Sequence, residues 1–171
     1  MKFTLPIETA RESCPDTVAA ILTACDKLPI HQSAYRPFHS TETALLKVFN
    51  DLLQAANRGQ VSSLCLLDLT AAFDTVDHEL LVLRLQHSFG IRGIALAWFI
   101  SYLSNRTYCV FHGGVYSHLI CVKCSVPQGS VLGSLMFLLY TAELAELAAR
   151  YGVTLHPFAD DNQLHTYTLW N

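Results

Sequence analysis

Charge is scarce in this chain, and basic charge nearly vanishes from its C-terminal third. Only 15% of the 171 residues are charged, against 51% hydrophobic. That is richer in apolar residues and poorer in charge than an average globular domain, as expected where further protein covers part of the surface. The formal net charge is −3, so the chain as a whole lacks the basic footprint of a nucleic-acid binder. From Cys124 onward the only basic residue is Arg150, which leaves that third almost no phosphate-binding capacity of its own. No Gly-x-x-x-x-Gly-Lys loop occurs, so a P-loop nucleotide hydrolase is not expected. Internal repeats and low-complexity segments are absent. Lys2, Glu8, Arg11, Glu12 and Asp16 break up any signal-peptide core. The most apolar run, Val131 to Tyr140, contains Gly133 and Ser134 and is too short to span a bilayer, so no membrane partner is expected. The six cysteines, at positions 14, 25, 65, 109, 121 and 124, form no regular framework. Reduced thiols and an intracellular protein are expected, with nucleus and cytoplasm both open.

What the chain does have is a carboxylate inside an apolar run. Residues 64 to 69, Leu-Cys-Leu-Leu-Asp-Leu, have the length of a buried strand, with Asp68 within it. Burying an ionised carboxylate is costly unless it pairs, protonates or binds a metal. A second acidic knot, Phe158-Ala159-Asp160-Asp161, ends another strand-like run. Taken locally, an Asp-Asp-Asn sequence is an ordinary hairpin tip. Taken together, one carboxylate from a strand and two from a tip make a hard-oxygen site suited to Mg²⁺.

The other elements follow from spacing. Thr17 to Leu28 predicts an amphipathic helix stopped by Pro29. A polar loop from His31 to Ser40 contains Arg36, which reads either as an ordinary loop arginine or as a phosphate or template contact through its planar fork. Ser40 or Thr41 can cap a helix that Arg58-Gly59 closes. Asp77 can cap a helix over His78 to Ser88, ended by Gly90, and Ile94 to Leu103 predicts another. Strands over Thr107 to His112 and Val115 to Val122 flank Gly113-Gly114, a hairpin signal. His112, His118, Cys121 and Cys124 on that hairpin invite a zinc reading, but the second ligand pair of established sites is missing. Ser125 to Ser130 reads as a proline-glycine turn with Ser130 capping a helix from about Val131 to Arg150. In the functional alternative Gly129 admits a ligand close to the backbone while Gln128 hydrogen-bonds it. Val153 to Ala159 and Asn162 to Trp170 predict two strands, with Pro157 restricting the first to an edge or irregular position.

Asp68-Leu69-Thr70-Ala71-Ala72-Phe73-Asp74, Pro127-Gln128-Gly129-Ser130 and Phe158-Ala159-Asp160-Asp161 resemble three successive motifs of reverse transcriptases, especially those of non-long-terminal-repeat retrotransposons. Gln32 to Arg36 followed by Ser40 to Leu45 resembles the fingers segment of that group, and the likeness runs from about Leu28 to Leu169. The resemblance implies an α+β right-hand polymerase fold in which an antiparallel palm sheet is backed by helices and preceded by fingers. It implies a partial fingers and palm domain over residues 28–171, with 1–27 a poorly defined N-terminal segment. Ending ten residues beyond Asp161, the chain is expected to lack the later palm segment and the thumb. Phe38 stands where the family often has glycine, and Ser134 where it often has proline.

By the same resemblance Asp68, Asp160 and Asp161 are the catalytic, metal-holding carboxylates for two Mg²⁺ ions, with Mn²⁺ as a substitute. Phe73 would lie beneath the incoming sugar, Gln128 and Gly129 would touch nucleotide and template, and Arg36 would face template or triphosphate. The implied partners are an RNA or DNA template with its primer, deoxynucleoside triphosphates, and a protein covering the surface left by the thumb. The implied reaction is RNA-directed DNA polymerisation. Its alternative is an inactive retroelement remnant serving as a protein-interaction module.

Overall fold

The computed structural model describes Ala24 and residues 26–169. In chain order the elements are α1 (Thr41–Asn57), β1 (Gln60–Asp68), α2 (His78–His87), α3 (Gly93–Leu103), β2 (Thr107–Tyr108), β3 (Phe111–His112), β4 (Val115–Tyr116), β5 (Ile120–Cys121), α4 (Val131–Thr141), α5 (Glu143–Arg150), β6 (Thr154–Phe158) and β7 (Asp161–Leu169). The coarse expectation of helices with antiparallel sheets is met. The predicted helix over Thr17 to Leu28 lies outside the described residues for most of its length, as does Trp170 at the end of the last predicted strand. Chain contacts divide the protein into two units, Leu28–Ala72 with Gly129–Asn171, and Phe73–Gln128 with the residues before Leu28.

The first unit is built on a three-stranded antiparallel sheet in the order β1-β7-β6. Helix α1 begins with a reciprocal capping box. The Ser40 side chain accepts from Thr43 N, and the Thr43 hydroxyl accepts from Ser40 N, so two otherwise orphaned donors are satisfied. Gly59, at φ +70, turns the chain directly into β1. Helix α4 starts at Ser130, whose Oγ accepts from Gly133 N at 2.9 Å, and it buries Met136, Phe137, Leu138 and Leu139. The single helix predicted over Val131 to Arg150 is instead two, broken at Ala142. Taken as one 20-residue stretch, Val131–Arg150 is long and apolar enough to cross a membrane by length and composition. The buried face of α4, with Gly133 beside those four side chains, is what a core helix supplies.

One sequence expectation about strands needs correction and another is met. Strand β1 was expected to be buried, yet it is an edge of the sheet, with Leu64, Leu66 and Leu67 exposed by 43%, 71% and 47%. Its apolar run reflects an uncovered surface rather than an interior one. Pro157 does sit on an edge, since β6 borders only β7. It is paired with Asn162 next to the closing Phe158–Asp161 pair. Its carbonyl points away from β7 and accepts from Ser33 N at 3.1 Å, so the missing N–H costs no ladder bond.

The second unit packs α2 and α3, with Leu81, Leu85, Phe99 and Leu103 buried. Asp77 caps α2, its Oδ1 accepting from Leu80 N at 2.8 Å. Gly113 and Gly114 take φ +58 and +84, the paired positive values of a two-residue hairpin loop. The hairpin is interrupted, however. Between the β3–β4 and β2–β5 pairings, Ser117 Oγ accepts from Val110 N at 2.9 Å while Ser117 N donates to Val110 O at 2.8 Å. A side chain here substitutes for one rung of the ladder.

Candidate active site

The register of β1 against β7 settles which carboxylates meet. Asp68 is the last residue of β1 and Asp161 the first of β7, and the two are direct cross-strand partners, so their side chains leave the same face of the sheet. Asp160 lies in the two-residue connection, Ala159-Asp160, between the paired Phe158 and Asp161. Its carbonyl accepts from Leu69 N at 3.2 Å and from Asn162 Nδ2 at 2.9 Å. These two donors fasten the tip to the end of β1. Asn162 is buried, and its side-chain amide is what locks the turn.

Strain surrounds the carboxylates. Ala159 has φ +57, and Ala71, three residues after Asp68, has φ +54. Alanine occupies the left-handed region at a cost of about 1–2 kcal/mol, and such outliers concentrate at functional sites. Asp68 and Asp161 are exposed and Asp160 is half-buried. Beside them is an open pocket of about 270 Å³ lined by Thr41, Ala44, Leu45, Leu66, Leu67, Asp68, Phe158, Asp161, Asn162 and Gln163. Asp68 and Asp161 face one another across the strand pair and Asp160 adjoins them in the connection, so the three carboxylates stand at one end of the sheet. As an all-oxygen, solvent-open donor set they fit Mg²⁺, which keeps several waters and needs only one or two carboxylates.

The remaining predicted residues fall as follows. Phe73 is 8% exposed, and its carbonyl accepts from Val126 N at 2.9 Å, which joins the end of the Asp68–Asp74 motif to the residue before Pro127-Gln128. Gln128 is exposed. Gly129 has φ +82, and a Cβ there would meet nothing within 4 Å, so backbone conformation rather than crowding within the chain calls for glycine. Arg36 Nη1 donates to Pro29 O at 3.2 Å and to Gln32 O at 3.3 Å, bracing its own loop. Phe38 is fully exposed at φ +64, which explains in conformational terms why glycine suits that position.

His112, His118, Cys121 and Cys124 do not assemble into a metal site. Among the described residues, the His, Cys and acidic side chains that converge are Asp51, His156 and His165. Sequence reasoning missed this group because its members come from a helix and two strands with no local spacing to link them. Burial and the neighbouring His31 and His165 imidazoles lower the pKa of His156 to about 4. Burial likewise lowers His165, against the opposing pull of Asp51. The Asp51 carboxyl is held below its ordinary value: burial opposes this, but the hydrogen bond and charge of Lys47 outweigh it.

The sequence model of the family described as "Reverse transcriptase (RNA-dependent DNA polymerase)" matches residues 15–169. The chain is 32% identical over 124 residues to the "Probable RNA-directed DNA polymerase from transposon BS" of Drosophila melanogaster, covering 72% of this chain and 14% of that protein. It is 33% identical over 147 residues to the "Probable RNA-directed DNA polymerase from transposon X-element" of the same species, covering 84% and 16%. It is 30% identical over 139 residues to the "RNA-directed DNA polymerase from mobile element jockey" of Drosophila funebris, covering 78% and 15%. The matched portion is thus only 14–16% of the length of these relatives. With the family model matching residues 15–169 and relatives about 30% identical over most of its length, the chain belongs to the reverse transcriptase family.

Proposed function

We propose that the chain is the fingers and palm portion of a non-long-terminal-repeat retrotransposon's RNA-directed DNA polymerase, over residues 28–171. The observation that carries the reading is the pairing of Asp68 with Asp161 at the strained tip that also presents Asp160. These three carboxylates would hold two Mg²⁺ ions, with Mn²⁺ as a substitute. When bound, such ions stabilise the charge on the attacking and leaving oxygens of a phosphoryl displacement. The chain's own contribution is positional: the donors on Asp160 O keep the tip against β1, so the carboxylates need little reorganisation. The primer 3′-hydroxyl attacks the α-phosphorus of a deoxynucleoside triphosphate and pyrophosphate leaves. Phe73 lies under the sugar and disfavours a 2′-hydroxyl, Gln128 and Gly129 contact nucleotide and template, and Arg36 approaches template or triphosphate from the fingers.

A specific observation also favours a protein partner. Leu45, Leu46, Phe49 and Leu53 on α1 are exposed, as are Leu64, Leu66 and Leu67 on β1. An apolar surface of this extent normally meets other protein. Further polymerase segments would cover it in a working enzyme, and a separate partner would do so in an inactive remnant.

The test is deoxynucleotide incorporation on primed RNA at high protein concentration, beside Mn²⁺-induced broadening of NMR signals. Incorporation that needs Mg²⁺ and disappears in Asp160→Asn is expected, with broadening centred on Asp68, Asp160 and Asp161. If the wild type and Asp160→Asn match in both measurements, the polymerase reading of this chain fails.

A further inference from the structure

About four residues along β7 from the catalytic tip, on the same face of the sheet, lies a group that polymerisation does not use. Asp51 projects from α1, His156 from β6 and His165 from β7, and their candidate ligand atoms all lie within 4.8 Å of one another. Gln163 faces His156, and Thr154 faces His165. The two imidazoles are therefore diagonal neighbours on one face, with rings 5.0 Å apart. Both residues are nearly inaccessible, at 3% and 2% exposure. His156 Nε2 is 3.3 Å from Asp51 Oδ2, yet it makes no hydrogen bond, and neither does His165 Nδ1. Native interiors rarely leave two such nitrogens unsatisfied at one spot, and an ion is one of the standard explanations.

We infer that Asp51, His156 and His165 bind one Zn²⁺ ion that ties α1 to the hairpin carrying the catalytic aspartates. Two imidazoles and a carboxylate suit zinc, whereas Mg²⁺ prefers an all-oxygen shell. Zinc bonds of 2.0–2.2 Å place tetrahedral ligand atoms about 3.4 Å apart. The widest pair here must therefore close by about 1.4 Å, within the reach of side-chain rotation.

The surroundings supply the remaining parts of a site. Lys47 bonds to Asp51 Oδ1, leaving Oδ2 as the atom that faces His156. A hydrogen-bonded carboxylate ligand is common in metal shells, although the ammonium charge opposes a second cation. An open pocket of about 230 Å³, bordered by Asp51, His165 and His31, provides an entry path and room for a water in the fourth position. The site is independent of the polymerase reading, because none of its residues belongs to the carboxylate tip.

The test uses the full chain after chelation, titrated with Zn²⁺ alone and then with Mg²⁺ alone. One equivalent of Zn²⁺ is expected to bind and raise the Tm, while millimolar Mg²⁺ leaves this cluster's histidine NMR signals unmoved. Asp51→Asn and His165→Gln should each weaken binding at least tenfold, and Asp160→Asn should not. Because those two variants touch a packed cluster, Lys47→Met is the complementary test. Removing the ammonium should tighten Zn²⁺ several-fold without disturbing a buried side chain. Co²⁺ provides a readout on the unmutated protein. Tetrahedral visible bands without a thiolate charge-transfer band are expected. A thiolate band would move the metal to cysteine and overturn the assignment. So would stoichiometric failure to bind, or Zn²⁺ affinity unchanged in both Lys47→Met and His165→Gln.

Discussion

Two clusters share one face of one sheet and differ in almost every physical respect. At the tip, Asp68 and Asp161 are exposed carboxylates held in place by backbone register. About 13 Å along β7, at roughly 3.3 Å per residue, His156 and His165 are buried beside Asp51. The tip is all oxygen, open to water and strained at Ala71 and Ala159. The inner cluster mixes nitrogen and oxygen, stacks its rings and keeps its imidazoles nearly inaccessible. Burial accounts for the difference. Water can solvate the exposed Asp68 and Asp161 carboxylates at the tip, whereas a buried cluster of anions would be prohibitively costly. Imidazoles escape that cost by staying neutral. One face thus carries an exposed carboxylate pair and a buried imidazole pair without either dictating the other's charge.

The largest effect that would break this contrast is catalytic. Asp68→Asn keeps the shape of an exposed side chain and removes its charge. Incorporation should fall about 10³-fold or more, since a metal-holding carboxylate supplies several kcal/mol of transition-state stabilisation. The Tm should hardly move, because exposed substitutions usually stay within about 0.5 kcal/mol. A variant with full activity, or one that unfolds, would remove the distinction between chemical tip and structural interior.

The next effect belongs to the inner cluster and is read with a chelator present. His156 titrates near 4 in the folded chain and near 6.5 when unfolded. Between those values the unfolded chain binds more protons, so stability rises with pH. The contribution is complete above about pH 6.5 and is lost as pH falls towards 4. With solvent screening allowed for, the loss should be about 2 kcal/mol. His31 and His165 are lowered too and push in the same direction. Urea melts at pH 7.0 and 4.5 would show this, and it should shrink in His156→Gln if that variant folds. An unchanged midpoint across the window would mean that the imidazoles are freely solvated.

The two clusters were also unequally legible from sequence. The tip announced itself because its residues lie in short motifs whose chemistry depends on local order. Helix α1 was readable from Ser40 to Gly59, and Pro157 did mark an edge. The burial of β1 was misjudged because an apolar run looks the same whether its cover belongs to this unit or to other protein. The break at Ala142 was invisible, since alanine is the best helix former and tertiary packing decided the matter. Asp51 and His156 lie 105 positions apart (156 − 51), and only α1 packing over the hairpin relates them. Long-range convergence of this kind leaves no periodic trace.

The smallest effect probes how the tip holds its strain. Ala159 sits at φ +57 with its side chain 8% exposed, in a loop closed by the Phe158–Asp161 pair. Glycine adopts that conformation without the Cβ penalty of about 1–2 kcal/mol. It also gives the unfolded chain more freedom, which offsets about 0.5–1 kcal/mol. Ala159→Gly should therefore stabilise the protein by about 0.5–1 kcal/mol in urea unfolding. Incorporation should nevertheless drop a few-fold, because a glycine tip samples more orientations of Asp160 and loses pre-organisation. The inner cluster should be indifferent, with its histidine NMR shifts unchanged. If stability and activity both rise, the alanine is merely tolerated at the tip. If the histidine shifts move as well, the two clusters are coupled through β7 and cannot be treated as separate sites.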